Sequence, residues 1–184
     1  MKYFTLRPRG DYDGKFVVND FRKNKPATKE DVQEMGLKLR PIGEGAFREV
    51  YQIKGCNLVV KIPMSEYDAS TGSPLKDYHS EHSQEEMLWY TKIMRNYKYK
   101  KLRKYMPEIY YYHENGLILM KKYRKFHYGY NSRRVNILSE ILNDIFNFVL
   151  RENRNWRDFN NTGNIGIDNE TDQLVILDLG CFGG

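Results

Sequence analysis

Apolar positions along this chain repeat with two periods. Short runs with strand character recur at Leu37–Ile42, at Val50-Tyr51, at Leu58–Ile62, at Ile109–His113 and Leu117–Met120, and finally at Ile165–Ile167 and Leu174–Leu177. Two longer stretches carry helical spacing instead. From about Tyr78 to Tyr97, Met87, Trp89, Tyr90, Ile93, Met94 and Tyr97 recur near a helical period. Ile137, Leu138, Ile141, Leu142, Ile145, Phe146, Val149 and Leu150 recur at i, i+3, i+4 and predict the firmest helix of the chain. This order predicts a two-part α+β protein: a small antiparallel sheet with one helix, then a helical part that ends in a hairpin.

The punctuation between these runs agrees with that order. Thr28-Lys29-Glu30-Asp31 has the form of a capping box, in which a side-chain oxygen and a carboxylate satisfy the amides that open a helix. That helix runs through Met35 and Gly36 stops it. Glu114-Asn115-Gly116 contains an Asn-Gly turn between two apolar runs, which predicts a hairpin. A second hairpin turns at Asp168–Asp172. Ahead of all this, Tyr3-Phe4-Thr5-Leu6 and Phe16-Val17-Val18 flank a DYDG turn, so residues 1–25 read as a weak hairpin or a loose arm.

Composition narrows the class. With 184 residues, 40% hydrophobic and 29% charged, the chain has the size of one domain and the apolar content to bury a core. Its net charge of +6 suits polyanions: ATP, an acidic protein face or nucleic acid. Two cysteines, Cys56 and Cys181, have no paired spacing, so neither a zinc site nor a disulfide framework is expected and a reduced cytoplasm fits. The N-terminus lacks an apolar core and no apolar run reaches membrane-spanning length, so no secretory signal and no membrane partner are expected. Between Lys92 and Lys104, lysines and arginines interleave with Tyr97 and Tyr99, and Tyr105 follows. Without a nucleic-acid-binding motif beside it, this stretch reads as a solvated helix end with its tyrosines on the core. An acidic partner for it stays open, and a nucleic-acid partner is not expected.

Two stretches carry candidate chemistry. In Leu39–Pro63, Gly43 and Gly45 would let the backbone approach phosphates, because glycine has no β-carbon to hold them off. Phe47 can cover that turn. Val50 resumes a strand, and Lys61 ends the run Leu58-Val59-Val60-Lys61, aiming one cation at a nucleotide. In Asn155–Phe182, Asp158 places a carboxylate beside the loop asparagines Asn160 and Asn161. Asn164 and Asp178 offer oxygens to a divalent cation. The hairpin between those two brings them side by side, and an aspartate delivered by an apolar strand calls for a partner such as a metal.

The order G-x-G-x-F-x-x-V, then hydrophobic-hydrophobic-Lys, then Trp156-Arg157-Asp158, Asn164 and Asp178-Leu179-Gly180, resembles the protein kinase-like superfamily. Within it the chain looks like the minimal, atypical kinases of bacteria and their viruses, such as T7-like phage early kinases and compact effector kinases. The resemblance implies a two-lobed kinase-like fold with an antiparallel N-lobe sheet, helix C and a reduced helical C-lobe. It divides the chain into an N-terminal extension (1–36), an N-lobe (37–123) and a C-lobe (124–184). It also implies roles. Gly43, Gly45, Phe47, Val50, Met120 and Lys122 would surround ATP, with Met120 at the rear of the adenine pocket. Lys61 would hold the phosphates and Glu86 of helix C, or else Glu85 or Glu81, would pair with it. Asp158 would be the catalytic aspartate, and Asn164 and Asp178 the ligands of Mg²⁺ or Mn²⁺.

Some positions depart from the family pattern. Asp158 and Asn164 are six apart where five is usual, Trp156 stands for histidine, Arg48 for the third glycine and Leu179 for phenylalanine. The sequence ends four residues after Gly180, without an activation segment, which makes the expected C-lobe minimal. The expected function is transfer of the γ-phosphate of ATP to Ser or Thr, ahead of Tyr, in a protein substrate, which for a phage or effector source would be a host protein in the host cytoplasm. The alternative is a pseudokinase that binds nucleotide or a protein without transfer. A third reading, a small-molecule phosphotransferase, rests on the Gly163-Asn164-Ile165-Gly166 run.

Overall fold

The computed structural model describes residues 14–44, 48–64, 78–126, 143, 144, 147 and 162–179. They form a mixed α+β structure whose chain divides into two compact units. The first comprises Met1–Ser80 with Ile109–Lys122, and the second Glu81–Glu108 with Tyr123–Gly184.

The first unit is built on a five-stranded antiparallel sheet of order β1-β2-β3-β5-β4. Its strands are β1 (Leu39–Glu44), β2 (Arg48–Ile53), β3 (Leu58–Pro63), β4 (Ile109–Tyr112) and β5 (Ile118–Lys121). Because side chains alternate along a strand, the sheet has two distinct faces. One carries Tyr51, Ile53, Leu58, Val60, Ile62, Leu117 and Leu119, which join Val17, Phe21 and Val32 in a single core.

Those last three residues come from helices α1 (Gly14–Asn24) and α2 (Lys29–Glu34). The strand expected at Phe16-Val17-Val18 is therefore replaced by helix. Val17 and Phe21, one helical turn apart, are both fully buried, and Phe16, the first of the three strand-like residues, is 54% exposed. The α1 helix ends when Lys25, at φ 51°, returns its N–H to the Phe21 carbonyl at 2.8 Å. Phe21 then meets the Tyr111 ring edge-on at 5.6 Å. The capping box of α2 forms as the sequence predicts: Thr28 Oγ1 accepts from the Asp31 amide, and Asp31 Oδ2 accepts from the amides of Thr28 (3.0 Å) and Ala27 (2.8 Å). Gly36, at φ 78°, follows as the stop. The β4–β5 hairpin forms too, closed by a three-residue loop in which Gly116, at φ 92°, takes the left-handed position. Asn115 is not left-handed, so the two-residue Asn-Gly turn is not the one used.

In the second unit, helix α3 (Tyr78–Arg95) contributes Trp89 and Ile93 to a core with Tyr99, Leu102, Tyr105, Met106, Phe126, Ile165, Ile167, Leu174, Ile176 and Leu179. The helix stops two residues earlier than its periodicity suggests. Asn96 caps a 3₁₀ helix, Tyr97–Tyr105, through its side-chain acceptance of the Lys98 amide at 3.0 Å. Tyr97 consequently leaves the helix face and is 78% exposed.

The expected final hairpin forms from β7 (Ile165–Ile167) and β8 (Leu174–Ile176). A short strand that the sequence does not announce, β6 (Arg124–Lys125), pairs with β7 and extends it to three strands. Asp168 organises the turn, its Oδ1 accepting from the amides of Glu170 (2.8 Å) and Thr171 (3.1 Å). Of the helix expected over 137–150, only residues 143, 144 and 147 are described, and all three are helical.

Candidate functional site

In the first unit, Gly43 pairs with Val50, Val50 with Lys61, and Lys61 with Ile118. One rung of the ladder thus crosses β1, β2, β3 and β5. Residues opposite one another on a ladder present their side chains to the same face, so Val50 and Lys61 share a face with Ile118. It is the face opposite the α1–α2 core, because Tyr51, Val60, Ile62 and Leu119 point the other way. The next rung on that face is Gln52, Val59 and Met120.

Gly43 joins this row through an irregularity. Pro41 pairs with Tyr51 and Gly43 with Val50, so Ile42 is an extra residue, a β-bulge that advances the strand by one position. Were Ile42 paired in regular register with Val50 instead, Gly43 would fall opposite Glu49, on the other face.

Lys61 is only 6% exposed, which is unusual for an ammonium group on a strand. Lys122 is half-buried, and its Nζ donates to Gln52 Oε1 at 2.9 Å. Arg40 donates to the same oxygen at 2.7 Å, so two cations share a neutral acceptor. Gly45 and Phe47 lie outside the described residues. On the helical face, Lys29 Nζ bonds the Tyr51 hydroxyl and sits 3.6 Å from Glu49. The Tyr51 hydrogen bond, with Glu49 close by, raises the Lys29 pKa above its ordinary value. Half-burial raises the Cys56 thiol pKa, which keeps that side chain a poor nucleophile.

In the second unit, Glu86 is fully buried on α3. Glu81 is exposed and Glu85 half-buried, so among the three glutamates Glu86 is the one withdrawn from water. On the same helix Ile93 is buried and Tyr90 packs on the core, whereas Tyr97, beyond its end, is exposed.

Asn164 ends a short 3₁₀ turn, Thr162–Asn164, and its carbonyl accepts the Leu177 N–H at 2.7 Å. Asp178 is the next residue. The hairpin therefore brings Asn164 and Asp178 to one mouth, and both are half-buried there. Leu179, fully buried in the unit's core, anchors the segment beyond. Gly166 is held tightly: a β-carbon on it would lie 2.8 Å from Tyr123 Cβ and 2.9 Å from Leu177 Cδ2. Asp158 lies outside the described residues.

The donor set at this mouth is one carboxylate and one amide. That chemistry fits Mg²⁺, a hard cation that takes few protein oxygens and fills its remaining positions with water and phosphate. Among the described residues no three His, Cys, Asp or Glu side chains gather into a metal-holding group. Also among them, no helix is long and apolar enough to cross a membrane. A scan against protein-family models and a search of curated proteins found no match to this chain.

Proposed function

We propose that the chain is an ATP- and Mg²⁺-dependent protein kinase with a kinase-like fold, transferring the γ-phosphate to Ser or Thr hydroxyls of a protein substrate in a cytoplasm. The observation that supports this reading best is the single rung Gly43–Val50–Lys61–Ile118, in which the lysine is buried. A glycine, an apolar side chain and an ammonium group side by side supply backbone access to phosphates, a surface for a base and one fixed cation.

In this reading Lys61 holds the phosphates, Glu86 steadies it, and Met120 lines the adenine pocket. Gly45 and Phe47 complete the turn over the phosphates. Asp158 orients the attacking hydroxyl, while Asn164 and Asp178 hold the metal. Bound Mg²⁺ would neutralise the charge that builds on the β- and γ-phosphates. Lys122 is assigned a supporting part, since its amine is engaged by Gln52.

Incubation with γ-labelled ATP and Mg²⁺, with a cell lysate as acceptor, tests the proposal beside Asp178→Ala. Label that appears on an acceptor protein and vanishes in the variant is the expected result. Undiminished transfer by folded Asp178→Ala would remove the assignment. Nucleotide binding without transfer would leave a pseudokinase.

A further inference from the structure

The 3₁₀ helix Tyr97–Tyr105 sorts its residues into three rows. With three residues per turn, positions i, i+3 and i+6 lie above one another about 6 Å apart. Tyr99, Leu102 and Tyr105 form one row and are buried in the core. Lys98, Lys101 and Lys104 form the second, all exposed. Tyr97, Lys100 and Arg103 form the third. The backbone departs from helical angles at Tyr99 (φ −104°, ψ 15°), so the stacking is regular from Lys100 onward and only approximate before it.

Seven cations fall between Lys92 and Lys104, and no acidic residue occurs from Lys92 to Pro107. The ridge is also tied to its surroundings by hydrogen bonds. Arg103 Nε donates to the Ile93 carbonyl at 3.2 Å, the Gln173 side chain bonds the Lys104 carbonyl, and the Tyr105 hydroxyl donates to Asp144 at 3.3 Å. At its head Tyr97 is 78% exposed, with Lys100 Nζ 5.6 Å from the ring centroid.

From this placement we infer that the ridge binds single-stranded nucleic acid, with the row Lys98, Lys101 and Lys104 following successive phosphates and the Tyr97 ring stacking on a base. The spacing of the cations is close to that of consecutive phosphates on an extended strand. An exposed ring among cations is what separates such a surface from one that only attracts acid, since a base has a π-face and a carboxylate has none. The inference does not depend on the kinase reading.

The test is fluorescence anisotropy of the full chain with labelled oligouridylate and oligothymidylate, with unlabelled polyphosphate and polyglutamate as competitors. Wild-type protein should bind an oligonucleotide with an affinity that falls as salt rises. The variant Lys101→Gln/Lys104→Gln should lower that salt slope by roughly 0.7 for each lysine removed. Tyr97→Ala should weaken oligonucleotide binding about tenfold while leaving polyphosphate competition unchanged, and Tyr97→Phe should restore it. All three residues altered are exposed, and unchanged melting temperatures confirm that the fold is kept. Preference for one of the two oligonucleotides tells RNA from DNA. Absence of binding at low salt, Tyr97→Ala binding as well as wild type, or polyglutamate competing as well as the oligonucleotide would each overturn the inference; the last would assign the ridge to an acidic protein.

Discussion

Lys61 lies on a strand between Val50 and Ile118, almost out of reach of water. A buried ammonium group is costly unless its charge is paired. If it holds phosphates, Lys61→Met removes a charge-assisted contact of about 1.5–3 kcal/mol, equal to roughly ten- to a hundredfold in nucleotide affinity. On that reading ATP should raise the melting temperature of the wild type, and the rise should shrink in the variant. Gly166 makes a second residue-level prediction. An alanine there would press against Tyr123 Cβ, which is rooted in the backbone and cannot turn aside. Gly166→Ala should cost about 1–3 kcal/mol in urea denaturation, and in a double-mutant cycle a Leu177→Ala background should relieve only part of that cost. The clash survives because the Tyr123 contact remains.

The capping box carries a prediction at the scale of the element. Backbone amides of Ala27 and Thr28 bond the Asp31 carboxylate and hold its pKa below the usual 3.8. A carboxylate with a depressed folded pKa adds stability that is fully present above its unfolded pKa and is lost as pH falls through the folded one. Asp31→Ala should therefore destabilise the protein by about 1 kcal/mol at neutral pH. The difference between the two proteins should shrink below about pH 3.8, measured as denaturation midpoints across an acid series.

Elements differ in how plainly the chain announces them. Thr28 to Gly36 is legible because every signal is local: cap, carboxylate and glycine stop stand within nine residues. The hairpins at Gly116 and Asp168 are legible for the same reason. The α1 helix is not, because Phe16-Val17-Val18 imitates a strand and the deciding partner, Phe21, is recognised only against the sheet. Spacing by three at Tyr99, Leu102 and Tyr105 could have revealed the 3₁₀ helix, but it sits inside a run of lysines that reads as solvated. Nor could spacing show that Gly43, Val50 and Lys61 share a rung, since that depends on a bulge and on two pairings.

For the whole molecule, two cores give two places where damage concentrates. The sheet's core depends on α1 and α2, which lie ahead of the first strand in sequence. Phe21 is fully buried there, and Phe21→Ala should cost about 3–5 kcal/mol in equilibrium unfolding. A chain begun at Leu37 would bare seven apolar side chains of one sheet face, from Tyr51 to Leu119, and should be recovered mainly as aggregate. Soluble, well-folded protein from that truncation would show that α1 is dispensable.

The extra residue at Ile42 has a consequence for how this strand can change. A strand assigns sides by parity, and one surplus residue inverts the parity of everything that follows it. Removing Ile42 would let Pro41 and Gly43 pair in direct succession with Tyr51 and Val50, so Gly43 would keep its side and lose only the kink. Adding one residue there instead, without a second bulge to absorb it, would turn the glycine away from Lys61. The strand can therefore shed a residue at this point more safely than it can gain one.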